Sequence, residues 1–79
     1  MSGELPLPAR NDPRWRDVAT GRISRPWNIL AMKIMMTRII RETSADPSAA
    51  NVNRCSDEIY AFFEKNHKIA QSDLALICR

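Results

Sequence analysis

Glycine is scarce in this chain, two residues in 79, Gly3 and Gly21. Without a glycine-rich turn, no phosphate-cradling loop can be built. Cysteine is equally scarce. Cys55 and Cys78 form no C-x-x-C and have no second Cys/His pair beside them, so neither a zinc site nor a disulfide framework is indicated. They read as two reduced thiols. There is one histidine, His67, and the carboxylates are scattered over polar positions, so no acid–base or nucleophilic constellation is complete. An enzyme contained within this chain is not expected, although the chain could lend a residue to a partner's site.

Long apolar runs are also missing. Ile29 to Met36 is cut by Lys33 and soon followed by Arg38, well short of the roughly 18 clean residues a spanning helix needs, so no membrane insertion is expected. Met1 to Arg10 carries Glu4, Pro6 and Pro8 where the apolar core of a secretory signal would fall. The expected location is cytoplasmic. No alternating strand pattern, internal repeat or low-complexity tract is present.

A single small domain is the most that this length allows, and a chain of this size buries only about 60% of its unfolded surface. Disulfides and metal being unsupported, association with another chain is the remaining usual source of stability. Charge is distributed unevenly: residues 1–41 hold eight Lys/Arg and three acids, and residues 42–79 hold four and six. The first half is basic and the second mildly acidic, which suits an anionic ligand or attraction between opposite ends of two chains.

The patterning is all-α. Leu5, Leu7 and Ala9 alternate with Pro6, Pro8 and polar residues, as in an extended arm. Asp12 as N-cap, Pro13 at the first helical position and Gly21 as a left-handed stop bracket a short helix, with Trp15 and Val18 on one face. Pro26 can open a second helix reaching about Thr43. Asp46 and Pro47 repeat the start signal for a third, to about Asn66, with Val52, Cys55, Ile59, Phe62 and Phe63 as a one-sided stripe. Ser72 begins either a last short helix or a continuation of the third. The expected architecture is a Pro-rich arm and short helix over 1–25, then an antiparallel helical hairpin over 26–79.

The second helix is unusual. Its polar positions Lys33, Thr37 and Arg41 form one narrow stripe, and Trp27, Ile29, Leu30, Met32, Ile34, Met35, Met36, Ile39 and Ile40 cover most of the remaining circumference. A helix so apolar must be covered on more than one side, and one partner helix in a hairpin cannot do that. This pattern predicts an interface made by Trp15, Trp27, Ile29, Leu30, Met32, Met36, Ile39 and Ile40. Through it the chain would self-associate or serve as an accessory subunit of a larger assembly, with the arm lying along the partner.

Three other chemistries compete. Arg10, Arg14, Arg16, Arg22 and Arg25, interleaved with Trp15 and Trp27, resemble the charge-plus-aromatic mixture of single-strand nucleic-acid binders; ion pairing and burial at a protein interface use the same residues. Glu64 and His67 have the Glu-x-x-His spacing of di-iron bundles, yet no facing helix supplies the other carboxylates, and pairing of Glu64 with Lys68 is the plainer expectation. Tyr60 and His67, seven apart, could ligate haem, but Tyr60 beside Phe62 and Phe63 suits the edge of a core. No cofactor is expected, and the methionines read as adaptable packing.

Overall fold

A computed structural model describes residues 5–23, 30–68 and 71–78, the side chain of Ser72 aside. Four helices follow one another: α1 (Pro13–Ala19), α2 (Leu30–Ala45), α3 (Ala49–Lys65) and α4 (Gln71–Ile77), with no strand among the described residues. The expected start of the second helix, with Pro26, Trp27 and Ile29, lies outside the described residues, as does Arg25.

Local chemistry sets the ends of α1. The Asp12 carboxylate accepts from the Arg14 backbone N–H at 2.9 Å, and Pro13 occupies the first turn. Proline is tolerated there because its missing donor would have no intrahelical partner. At the far end Gly21 has φ +79°, a conformation open to glycine and strained for other residues. The Thr20 and Gly21 amides close onto the carbonyls of Arg16 and Val18.

The start of α3 differs from expectation. Ser48, rather than Asp46, is the N-cap, its hydroxyl accepting from Asn51 N–H at 3.4 Å. Asp46 still belongs to the end of α2, because its amide donates to the Glu42 carbonyl at 3.0 Å. Its carboxylate turns to the Ser48 amide at 3.2 Å. Asn51 then staples the corner, donating through Nδ2 to the carbonyls of Glu42 and Asp46.

α2 and α3 run antiparallel, as the cross-pairs Arg38–Glu58 and Glu42–Arg54 require. The core is not made by these two helices alone. α1 touches α2, α3 and α4, and one cluster joins Trp15, Val18 and Ala19 to Met32, Met36, Ile39, Cys55, Ile59, Phe63, Leu74 and Ile77. Trp15 is its largest member and has no exposed surface. Its ring meets Tyr60 edge-on at 5.5 Å and Phe63 at 5.3 Å, distances at which aromatic pairs attract beyond simple burial. Its Nε1 donates to the Ala9 carbonyl at 2.9 Å, so the buried indole is satisfied and the arm is tied down.

The arm lies along its own chain. Leu5 N–H donates to Gln71 Oε1 at 2.8 Å, and His67 Nε2 stands 2.8 Å from the Leu5 carbonyl. Donation to that carbonyl uses the tautomer protonated at Nε2, and the same nitrogen also lies 3.2 Å from Gln71 Nε2. Cys78 Sγ donates to the Pro6 carbonyl at 3.2 Å, and Leu5 and Leu7 pack against the core. The expectation that a partner would hold the arm is corrected for residues 5–9: Trp15 of α1, His67 after α3, and Gln71 and Cys78 at the two ends of α4 hold it.

Candidate functional site

α2 has two faces. Met32, Met36, Ile39 and Thr43 are buried, a 4-3-4 spacing that makes one inward stripe. The expected interface therefore needs correction. Trp15, Met32, Met36 and Ile39 are enclosed by their own chain, and Ile40 is partly buried against the same core. A side chain with no accessible surface has nothing to offer a partner in this conformation. Trp27 and Ile29 lie outside the described residues. Of the eight residues expected at an interface, Leu30 is the described one that faces outward, at 73% exposure. Ile34, one turn on, is 63% exposed and was not included in that set.

Leu30 and Ile34 lie in an open groove of about 480 Å³ whose other walls are Lys33, Thr37, Arg38 and Arg41. The i, i+4 spacing stacks the two apolar side chains on one face. The Thr37 hydroxyl is already committed to the Lys33 carbonyl at 2.9 Å. The groove wall carries no acid, and among the described residues neither Lys33 nor Arg41 meets a carboxylate. Arg38 does. It bonds Glu42 and Glu58, each at 2.7 Å, while Arg54 bonds Glu42 at 2.7 Å and Glu58 at 2.9 Å. This closed ring of alternating charge locks α2 to α3 along the edge of the face. It also shifts its members: the Arg54 and Arg38 guanidiniums hold the Glu42 carboxyl below its usual range, and both arginines are held more firmly protonated.

The N-terminal arginines are used at short range. Arg10 pairs with Asp57 at 3.2 Å and lies over the Tyr60 ring, 5.5 Å from its centroid. Arg14 bonds the Asp12 carboxylate and the Ile77 carbonyl. Arg16 donates to Asn53 at 2.9 Å, and Arg22 stands 4.0 Å from Asp17. A polar cleft of about 270 Å³ opens among Arg10, Asp12, Arg16, Asn53, Ser56 and Asp57. Arg10 and Asp12 are already paired there, with Asp57 and Arg14, and Arg16 is hydrogen-bonded to the Asn53 amide, so the cleft offers less unspent attraction than the α2 face.

The remaining candidates are also placed. Tyr60 donates to Glu64 at 3.3 Å, in place of the expected Glu64–Lys68 pair, while His67 is directed to the arm. The Glu-x-x-His spacing is thus divided between two neighbours. No group of three or more His, Cys, Asp or Glu able to hold a metal ion occurs among the described residues. No helix among them is long and apolar enough to cross a membrane. The thiol of Cys55 is buried, and that desolvation pushes its pKa up.

Sequence reasoning missed Ile34 as an outward residue because it chose the interface from the most apolar circumference of α2 without separating an inward from an outward side. The signal was available: Ile34 flanks the Lys33, Thr37 and Arg41 stripe, whereas Met32, Met36 and Ile39 lie opposite it. No family model matches the chain, and the comparisons with curated proteins and with solved structures found no match.

Proposed function

We propose that this chain is a non-enzymatic accessory protein, acting in the cytoplasm, that attaches to another polypeptide through the outward face of α2. The observation that carries this reading is the juxtaposition of Leu30 and Ile34, the two large apolar side chains left in solvent among the described residues, in a groove rimmed by Lys33 and Arg41. Isolated exposed apolar residues are ordinary, but a contiguous pair in a groove with a polar rim has the anatomy of a contact site. α1 contributes indirectly, by packing against the inward side of α2 and fixing its other side outward. A nucleic-acid-binding regulator draws less support, since Arg10, Arg14, Arg16 and Arg22 each bond a group of their own chain.

The test compares the native mass of the chain and of a Leu30→Ser, Ile34→Ser variant, each expressed in the original host. The parent should travel in a discrete complex well above its own 9.0 kDa. The variant should travel at the single-chain mass with an unchanged melting curve. A parent that travels alone under these conditions would sink the reading.

A further inference from the structure

We infer that the occupant of the α2 groove is an acidic amphipathic helix of a different polypeptide, with a carboxylate for Lys33 and another for Arg41 on either side of an apolar contact with Leu30 and Ile34. This rests on the docking reading above and gives it a chemistry.

The argument starts from spacing. Lys33 and Arg41 are eight residues apart on one helix, so their Cα atoms are separated by about 12 Å at 1.5 Å per residue. A helix laid along the groove meets that spacing with acids seven or eight positions apart, two turns, and presents apolar side chains at the intervening i+3 and i+4 positions. The two cations have no carboxylate of their own among the described residues, whereas Arg38 is held in the ring with Glu42 and Glu58. The unspent charge of the face is therefore positive at two fixed points.

A second copy of the chain fits poorly. A two-fold contact uses the same patch on both partners, bringing Lys33 and Arg41 of one copy against the same residues of the other with no acid from either groove. Like charges directly opposed repel. The described apolar surface is two side chains, far below the roughly 800 Å² per partner of a stable interface. Such a patch needs electrostatic help, which an acidic partner supplies and an identical one does not.

The experiment uses the full chain and two labelled synthetic helices of about 20 residues, enough for a continuous two-turn contact with flanking turns. One carries leucines at i, i+3, i+4 and i+7 with glutamates flanking at eight-residue spacing; the other has glutamine for each glutamate. Two exposed ion pairs together are worth from about twofold to about thirtyfold in affinity. The glutamate helix should bind about tenfold more tightly than the glutamine helix, weakening with added salt. Lys33→Gln with Arg41→Gln should abolish the difference, and Lys33→Glu with Arg41→Glu should reverse it, neither altering the melting curve, and Leu30→Ser with Ile34→Ser should remove binding of both helices. Equal binding of the two helices would overturn the acidic partner and leave docking on α2 intact. A dimer of the chain that Ile34→Ser dissolves would do the same. Preferential binding to equimolar phosphatidylserine–phosphatidylcholine vesicles would replace the acidic helix by a lipid surface, and binding to none of these, with a monomeric chain, would overturn both readings.

Discussion

The Thr43 hydroxyl donates to the Ala19 carbonyl at 2.9 Å, joining the end of α1 to the last turns of α2 inside the core. Ala19 is the last residue of α1, and carbonyls in a last turn have no intrahelical donor. Thr43 supplies one. The Ile40 carbonyl, at 3.1 Å, is the alternative acceptor for the same proton. Thr43→Val keeps the shape and removes the donor, which leaves a buried carbonyl unsatisfied at a cost of about 1–3 kcal/mol. Thr43→Ser retains the donor and should recover most of that loss. Urea denaturation of the two variants measures the difference, and equal loss in both would show that packing of the methyl group, rather than the hydroxyl, holds this junction.

Met36 and Ile34 are close in sequence and opposite in environment. Met36 is wholly buried and Ile34 is 63% exposed. Met36→Lys forces an ammonium into the core or pries the core open, and is expected to cost several kcal/mol of a total that for such domains is roughly 5–15 kcal/mol. Ile34→Lys should leave the thermal midpoint within a few degrees, since surface changes are usually within about 0.5 kcal/mol. Circular dichroism melts of the pair decide whether α2 is oriented as described. A cooperative, unshifted melt for Met36→Lys would reverse the assignment of its faces.

Acid should weaken the fold in a defined window. The Asp12 carboxyl is lowered from 3.8 to about 2, chiefly by hydrogen bonds from the Arg14 side chain and backbone N–H. Glu42 is lowered by Arg54 and Arg38. A carboxyl with a depressed folded value contributes stability that is fully present above its unfolded value and is lost as pH falls through the folded one. For Asp12 the loss runs from about pH 3.8 down to about 2. Asp12→Asn keeps an N-cap acceptor but removes the titrating charge, so its melting temperature should fall less steeply across that interval. Identical slopes for parent and variant would show that Asp12 is not responsible.

The two thiols should separate kinetically. Cys55 is buried, and its pKa is pushed up by desolvation; Cys78 is half-exposed beside the Pro6 carbonyl. Thiolate is the reactive form, so a thiol titration should show one fast equivalent, lost in Cys78→Ser, and one slow equivalent. The slow rate should rise with urea as Cys55 is uncovered. Two equally fast thiols in the native protein would contradict the burial of Cys55.

The sequence by itself determined the all-α class, the bounds of α1 and, of the stripe expected on α3, the buried Cys55, Ile59 and Phe63, with Phe62 partly buried and Val52 outside the core. Asp12, Pro13 and Gly21 act through bonds and dihedral preferences of their immediate neighbours, and the spacing of Cys55, Ile59 and Phe63 states which face must be buried. The tertiary structure decided what covers α2. Seven residues of α1 carry Trp15, a side chain large enough to fill the space that a hairpin leaves open, and a pattern of spacings does not say where that ring goes. Residues 5–9 offer chiefly backbone carbonyls and amides, whose partners Trp15, His67, Gln71 and Cys78 come near them through the fold and not through adjacency. Ser48 displaced Asp46 as the α3 cap because Asp46 was still hydrogen-bonded to α2, a competition between helices that neither segment records alone. The division of the apolar α2 surface into a buried Met32, Met36, Ile39 stripe and an exposed Leu30, Ile34 pair follows from the same cause. Hydrophobic burial is non-directional, so the choice among apolar faces was made by the shapes packed against them.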